Sequence, residues 1–362
     1  MFRLFLLVIV PLFIVLLAGC GGTAVEEEPA AEPQVAEEVE PTVEPQATAT
    51  SAPAAEPTME PAEEPTATAE PTAAPTASPA EAAYAMLFKL TNSPNNMKAP
   101  GGIAVDSMDN LFVWDAGRSR LLKFDSAGEL LESWESQGSG DGEFNSLGFG
   151  GIAIDGNDNV FVVDNGNFRI QKFDSAGSYV TQWGGQGTED GQFERAIGIA
   201  VDDAGNVYVT DDATPFVQKF DNDGNFLSKW GGEGTEDGQF KHATGITADK
   251  EGHIYVAEYE GRRVQKFDTD GGFITSWQVG GDVLGTPEGL AVDEQGNVYV
   301  TDYRLAQVEV YTPDGEFLTR WGERGSGDLQ FQAPVAVAVD SAGDIYVSDQ
   351  KTNSVQKVSS GP

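Results

Sequence analysis

The sequence predicts an all-β fold, a six-bladed β-propeller with four-stranded blades, over residues 84–362. The first observation is a short apolar phrase ending in aspartate that recurs every 44 to 49 residues, at Asp106, Asp155, Asp202, Asp249, Asp293 and Asp340. The second is a further apolar phrase that ends in an acid nine residues after each of these, at Asp115, Asp164, Asp211, Glu258, Asp302 and Asp349. Self-similarity at such a period indicates a repeat architecture, and four-stranded units repeated around an axis form a propeller.

Each repeat contains four short runs rich in β-branched and aromatic residues. In the third repeat these are Gly198–Asp202 (GIAVD), Val207–Asp211 (VYVTD), a run around Gln218–Phe220, and a run that ends at Trp230. Their alternating pattern and length predict strands, and Gly and Asn between the runs suit tight hairpin turns. Because the first run carries small residues, we expect it to lie innermost, next to the propeller axis.

The last repeat contains only three of the four runs, the third being Val355–Val358. The run Ala85–Leu90, which precedes the first complete repeat, supplies the missing outer strand. We therefore expect both ends of the repeat region to share one blade and to close the ring. The closure uses no disulfide, since the chain has a single cysteine, Cys20.

Two segments precede the repeats. Residues 1–20 place Arg3 before an apolar run and small residues, the layout of a secretory signal peptide. The stretch Leu17–Cys20 (LAGC) resembles the bacterial lipobox, which implies that Cys20 is lipidated and becomes the first mature residue. The apolar run is shorter than the ~20 residues that span a bilayer, which disfavours the alternative of an uncleaved membrane helix.

Residues 21–83 consist largely of Pro, Glu, Ala and Thr, and nearly lack bulky apolar side chains. Such a composition cannot offset the entropy of ordering, so it predicts a disordered low-complexity tether. Together, the two segments predict an extracytoplasmic protein held at the outer face of the cell membrane or cell envelope by the lipid on Cys20.

The charge balance limits the classes of partner. With 58 acidic residues against 21 Lys and Arg, the net charge is −37 at pH 7. Such a surface repels nucleic-acid phosphates and favours cationic partners, including Ca²⁺. We therefore expect no nucleic-acid ligand.

The repeat region resembles the NHL repeat family of six-bladed propellers. The resemblance rests on phrases such as Gly198–Asp202, on Arg169–Phe173 (RIQKF), and on the tryptophan-glycine end of the fourth run, as at Trp183-Gly184. The family often has Asn-His-Arg after the second acid, whereas this chain has Asn167–Arg169 (NFR). The resemblance implies a propeller that binds ligands on the face carrying its variable loops.

Propellers of similar architecture include amidating lyases, streptogramin lyases and lactonases of the gluconolactonase type. With only His242 and His253, the chain cannot form a three-histidine metal site. The two acid series recur in every repeat, which is typical of turn-capping residues, and Arg120, Arg169 and Arg263 open third strands beside those acids. We therefore predict no catalytic residue, no metal ligand and no cofactor. A Ca²⁺-dependent lactonase-like hydrolase remains the alternative, because carboxylates that could hold Ca²⁺ are plentiful.

The loops between second and third strands vary from repeat to repeat and contain basic and aromatic side chains in an otherwise acidic protein. Exposed aromatic and arginine residues often dominate interface energetics. The predicted ligand-binding residues are Arg118, Phe168, Phe216, Tyr259, Arg262, Tyr303, Arg304 and Lys351. We predict a monomeric scaffold that binds a protein, peptide or glycan there, with a Ca²⁺-dependent hydrolase or a purely structural surface protein as alternatives.

Overall fold

Six four-stranded antiparallel sheets form the blades of a propeller, as the repeats predict. The structure is a computed structural model and describes residues 84–146 and 148–360. The predicted signal peptide, Cys20 and the predicted tether lie outside the described residues. Within the described part of the chain, no helix is both long enough and apolar enough to cross a membrane.

Blades 1 to 5 each use four consecutive strands from the inner to the outer edge, and blade 6 adds β1 (Ala85–Leu90) as its outer strand. The chain begins the propeller with β1 (Ala85–Leu90), α1 (Asn92–Asn95) and the strands of blade 1, β2 (Pro100–Val105), β3 (Leu111–Asp115), β4 (Arg120–Phe124) and β5 (Leu130–Glu135). Blades 2 and 3 contain β6 (Ile152–Ile154), β7 (Val160–Asp164), β8 (Arg169–Phe173), β9 (Tyr179–Gly184), β10 (Ala196–Val201), β11 (Val207–Asp211), β12 (Phe216–Phe220) and β13 (Phe226–Gly231). Short 3₁₀ turns, Ala116–Arg118 and Asn165–Asn167, lie between the second and third strands of blades 1 and 2.

The second half of the ring repeats this order. Blades 4 and 5 contain β14 (Ala243–Ala248), β15 (Ile254–Glu258), β16 (Arg263–Phe267), β17 (Phe273–Gln278), β18 (Pro287–Val292), β19 (Val298–Asp302), β20 (Gln307–Tyr311) and β21 (Phe317–Trp321). A short parallel pair, β22 (Glu323–Arg324) and β23 (Gln330–Phe331), leads to blade 6, which contains β24 (Pro334–Val339), β25 (Ile345–Asp349) and β26 (Ser354–Ser359).

The strands formed by the first run of each repeat lie innermost, as predicted, and neighbouring blades approach closely there. The backbone N–H of Gly151 donates to the carbonyl oxygen of Ile197 in the next blade at 2.8 Å. A Cβ atom on Gly198 would lie only 2.3 Å from the carbonyl oxygen of Thr244. The small residues of this run therefore allow the blades to converge on the axis.

Strand β1 closes the ring, which confirms the predicted shared blade. It pairs antiparallel with β26, from Ala85 opposite Ser359 to Leu90 opposite Val355. The ring of Tyr84 also packs against Trp321 of blade 5 at a centroid distance of 5.1 Å. Residues separated by most of the chain thus form one sheet.

The tryptophan that recurs near the end of the fourth strand packs against the next blade. Trp183 packs against Phe220 of blade 3 at 5.8 Å, and a Cβ atom on Gly224 would lie 2.5 Å from its ring. Trp230 is placed in the same way against Phe267. The hydrophobic core is therefore a series of layers between adjacent blades rather than one central cluster.

Candidate functional site

The second acid series holds the loops of the propeller in place. The carboxylate of Asp164 accepts hydrogen bonds from the backbone N–H of Asn145 and from Nε of Arg169, both at 2.8 Å. Equivalent ion pairs join Asp115 to Arg120 and Glu258 to Arg263. These contacts confirm the predicted structural role of the recurring acids and of the three arginines.

The first acid series caps the turn between the first and second strands. Asp106 accepts the backbone N–H of Asn110 and its side-chain Nδ2, both at 2.8 Å. Asp202 makes the same pair of contacts with Asn206 and also accepts the hydroxyl of Tyr208 at 2.8 Å. Each acid of both series thus accepts hydrogen bonds within the fold, although one carboxylate oxygen of Asp302, Oδ2, is buried without a partner. We therefore look for a ligand site among residues that do not recur.

Such residues meet at one mouth of the axial channel. We call the face with the loops between second and third strands the top face. A cavity of about 210 Å³, here named the mouth cavity, opens on it where the inner strands of blades 3, 4 and 5 begin. Its lining consists of Phe149, Ile197, Asp212, His242, Thr244, Tyr259, Glu288 and Tyr303. Below it, the channel narrows between the inner strands, and Glu288 lines both spaces.

Glu288 is the charged group at the base of the mouth cavity. It directly precedes the inner-strand glycine of blade 5, at a position where the other blades have Gly101, Gly150, Ile197, Thr244 and Val335. Glu288 is only 8 % exposed, and no described residue forms a hydrogen bond or ion pair with its carboxyl group. Burial, with a smaller contribution from Asp212, raises the pKa of Glu288 to about 8. The cavity thus contains an acid that is protonated more readily than an ordinary glutamate.

Asp212 provides a second carboxylate on the wall of the cavity. It follows β11 and forms an ion pair with Arg195, whose side chain is half exposed. Burial raises the pKa of Asp212, whereas its hydrogen bond with Arg195 opposes this effect. Asp212 is therefore partly neutralised by a neighbour, unlike Glu288.

Two tyrosines form the aromatic part of the wall. The rings of Tyr259 and Tyr303 lie 6.4 Å apart between centroids, and neither hydroxyl is hydrogen-bonded to a described residue. Burial and then the charge of Glu288 raise the pKa of Tyr259. His242, nearby on the rim, has a left-handed φ of 58° and lies 4.0 Å from the carboxylate of Glu260. The cavity combines one unpaired acid, aromatic faces and free hydroxyl groups.

Among the eight predicted ligand-binding residues, Tyr259 and Tyr303 line the mouth cavity. Arg118 is exposed and contacts Asn96 through Nη2 and Oδ1 at 2.6 Å. Arg304 donates from Nη1 to the carbonyl oxygen of Leu284 at 3.0 Å. These two arginines therefore support neighbouring loops and lie outside the lining.

The remaining predicted residues also lie on the loops or strand starts of the top face, outside the mouth cavity. Phe168 and Arg262 have left-handed φ values of 56° and 57°. Phe216 begins β12, with Nζ of Lys229 5.2 Å above its ring, and Lys351 is exposed. The structure brings the two tyrosines together and leaves these four at other positions on the face.

The sequence analysis missed Glu288, Asp212 and the adjacent aromatic residue Phe149. A signal for Glu288 was present, because it is the single charged residue among the six that directly precede the first run of each repeat.

A second cluster lies on the opposite face. Asp249, Glu251 and His253 form the only group of three or more acidic, histidine or cysteine side chains in the described residues that is compact enough for a metal ion. The carboxylate of Asp249 is already hydrogen-bonded to Nδ1 of His253 at 2.9 Å and to the hydroxyl of Tyr255 at 3.0 Å. These contacts repeat the turn-capping role seen in the other blades.

The comparisons with known proteins agree with the fold. The family model described as NHL repeat matches residues 150–173, 240–267 and 331–358. Three of the six repeats therefore match this family model, in a chain whose described residues form six four-stranded blades. No curated protein matches it in sequence.

Similar solved structures include a streptogramin B lyase, with 12 % identity, a TM-score of 0.55, and coverage of 77 % of this chain and 99 % of that one. A gluconolactonase from Xanthomonas campestris has 16 % identity and a TM-score of 0.56, covering 76 % and 89 % of the two chains. The calcium-binding protein regucalcin from Agrobacterium tumefaciens has 13 % identity and a TM-score of 0.53, covering 76 % and 94 %. At these identities the likeness concerns the fold alone.

Proposed function

We propose that this chain is a lipid-anchored, extracytoplasmic binding module whose top face holds a protein, peptide or glycan ligand at the mouth cavity. The observation that carries the proposal is Glu288, a buried acid without a hydrogen-bond partner among the described residues, placed beside two tyrosines at the channel mouth. The recurring acids support the scaffold, so the non-recurring residues are free to serve recognition. The inner strands that carry Ile197, Thr244 and Glu288 hold the base of the site in place, which reduces the cost of binding.

The anchoring part of the proposal rests on the lipobox-like stretch at Cys20. Two or more acyl chains hold a protein stably on a bilayer, whereas a single chain does so only marginally. Replacing Cys20 with Ala is expected to move the protein from the membrane fraction to the soluble fraction, or to leave an unprocessed precursor. Unchanged membrane partition and unchanged mobility of the mature protein would contradict lipidation.

Binding is tested with the full-length protein on peptide and glycan arrays. The double variant Tyr259→Ala/Tyr303→Ala removes the aromatic wall and is expected to lose the signals of the wild type. The matched control is Gln295→Ala, an exposed residue in a turn on the opposite face, which is expected to retain them. Equal signals from the double variant and the control would contradict a site at the mouth cavity.

A Ca²⁺-dependent hydrolase is the alternative, and the observation that favours it is the presence of two carboxylates, Glu288 and Asp212, at the mouth of the channel. Ca²⁺ takes six to eight oxygen ligands, and Asp212 is already paired with Arg195. Calorimetric titration with Ca²⁺ and an assay of lactone hydrolysis with and without chelator separate the two functions. Hydrolysis that chelator abolishes would favour the enzyme over the binding module.

A further inference from the structure

Glu288 differs from the recurring acids of the fold in having no donor. Asp164 and Asp106 each accept backbone N–H groups, and Glu258 is paired with Arg263. Glu288 is also buried, yet no described residue donates a hydrogen bond to its carboxyl group. A buried carboxyl group without a partner is unfavourable in the empty protein, so a complementary group from a ligand would gain an interaction that the fold leaves open.

The walls around Glu288 indicate the chemistry of that group. Tyr259 and Tyr303 present aromatic faces and unbonded hydroxyl groups, and Phe149 and Ile197 add apolar surface. Aromatic faces attract cations, and apolar walls accept the methylene groups that adjoin an organic cation. The net charge of −37 adds a long-range attraction for a positive ligand.

We propose that the mouth cavity binds the ammonium group of an organic cation, with Glu288 as its counter-ion and with Tyr259 and Tyr303 as its walls. The inference rests on the proposed function, because it names the ligand class of the same cavity. The ammonium group donates hydrogen bonds to the carboxylate, and the tyrosine hydroxyls can accept its remaining hydrogens.

An inorganic cation fits the cavity less well. A hard cation such as Ca²⁺ needs several converging oxygen ligands, and the mouth cavity offers one unpaired carboxylate. In the described part of the chain, the three-residue cluster compact enough for a metal lies on the opposite face, at Asp249, Glu251 and His253. Aromatic and aliphatic walls are also poor substitutes for metal ligands.

A cleft of about 310 Å³ continues outward from the cavity between blades 3 and 4. It shares Asp212 and His242 with the cavity and adds two acids, Glu233 and Glu260, and one cation, Lys241, so acids outnumber the lysine in its lining. A ligand whose ammonium group reaches Glu288 therefore has an acidic path for the rest of its length. Three sources carry this chemistry, namely a lysine side chain, a free amino terminus and a small diamine.

Binding of a cation should release a proton. The groups that face Glu288 across the cavity are Asp212, His242, Tyr259 and Tyr303. Since burial and Asp212 raise the pKa of Glu288, much of this carboxyl group is protonated at pH 7, and it must ionise to pair with an ammonium group. The proton passes to the buffer, so the measured heat of binding should depend on the ionisation enthalpy of the buffer.

The test uses the full-length protein and calorimetric titration at pH 7. The probes are an end-capped peptide with one lysine, a lysine-free peptide with a free amino terminus, and 1,5-diaminopentane. Their matched neutral forms carry norleucine, an acetylated terminus, or 1-pentanol in place of the diamine. At least one ammonium probe is expected to bind tenfold or more tightly than its neutral form, with proton release, and the probe that does so identifies the source.

Glu288→Gln keeps the shape of the side chain and is expected to remove this preference, while Glu251→Gln on the opposite face retains it. If Glu288→Gln fails to fold, Tyr303→Leu replaces it, with the same expected loss. Equal affinity for charged and neutral probes, or a preference that survives Glu288→Gln in a folded protein, overturns the inference. So does Glu288-dependent binding of CaCl₂ that displaces the ammonium probe.

Failure of this inference is distinguishable from failure of the proposed function. If array ligands still depend on Tyr259 and Tyr303 but none prefers an ammonium group, the ligand class is wrong and the binding site remains. If the double tyrosine variant changes the binding of no ligand, the mouth cavity is not the binding site.

Discussion

Replacing Glu288 with Gln should change how the stability of the propeller depends on pH. Glu288 is 8 % exposed, and no described residue forms a hydrogen bond or ion pair with its carboxyl group. Burial and then the nearby carboxylate of Asp212 raise its pKa to about 8, from an ordinary value of 4.5. The other titratable groups that face it are Tyr259, Tyr303 and His242 on the same cavity wall.

The sign of the effect follows from proton binding. Below pH 4.5 the carboxyl group is protonated in both states and contributes no pH dependence. Between pH 4.5 and about 8 the unfolded chain loses this proton while the folded protein keeps it, so the free energy of unfolding falls as pH rises. At ~1.4 kcal/mol per pKa unit the full loss is about 5 kcal/mol above pH 8 and about 3 kcal/mol at pH 7, an upper bound because water in the cavity reduces it.

Glu288→Gln removes the titrating group and leaves an amide of the same shape. We expect it to match the wild type near pH 4 and to become more stable than the wild type by up to these amounts as pH rises to 9. Urea denaturation of the full-length protein at pH 4.5, 7 and 9 measures the difference, with Glu251→Gln as the exposed control. Asp212→Asn should shrink the difference, because Asp212 contributes to the raised pKa of Glu288. Parallel stability curves for the wild type and Glu288→Gln would refute this reasoning.

Three further predictions concern the scaffold, each measured by urea denaturation. Gly245→Ala puts a Cβ atom 2.3 Å from the carbonyl oxygen of Glu288, so it should lower the free energy of unfolding by about 1–3 kcal/mol. The control Gly156→Ala has open space around its Cβ atom and should leave the stability unchanged. Equal effects of the two variants would contradict the close approach of the blades. Arg263→Ala removes the ion-pair partner of the buried carboxylate of Glu258 and should cost about 3–5 kcal/mol. Lys250→Ala, which breaks an exposed ion pair, should have no measurable effect. A neutral Arg263→Ala would count against the role of this pair in holding the loop. A chain that ends at Asp349 lacks β26 and leaves β1 unpaired, so it should unfold without a sharp transition. A single steep unfolding transition would show that the ring does not need this closure.

Most of the fold was predictable because the same local pattern occurs in six copies. Each copy repeats its strand phrases, turn residues and capping acids, so an error in one copy is corrected by the others. The order of strands within a blade follows, because short turns can only join neighbouring antiparallel strands. Even the pairing of Ala85–Leu90 with the last blade was predictable, since the final repeat lacks one strand.

The candidate site was less predictable, because it depends on where side chains from different blades meet. Tyr259 and Tyr303 were predicted from their loops, and the structure places both beside Glu288. Arg118 and Arg304 are of a residue type that often binds ligands, yet each donates a hydrogen bond to a neighbouring loop. The sequence shows that a loop contains a basic side chain, but only the folded structure shows which group that side chain contacts.

The sequence by itself determined the blade number, the strand pattern and the structural role of the recurring acids, because these depend on contacts between residues close in the chain and repeated along it. Only the tertiary structure decided that Glu288 is buried without a partner at the channel mouth, beside Asp212 and two tyrosines. These side chains come from three blades, and the burial that raises the pKa of Glu288 arises when the ring closes around the axis. The chemistry of the site is therefore a property of the closed ring, whereas the architecture of the ring is already present in each repeat.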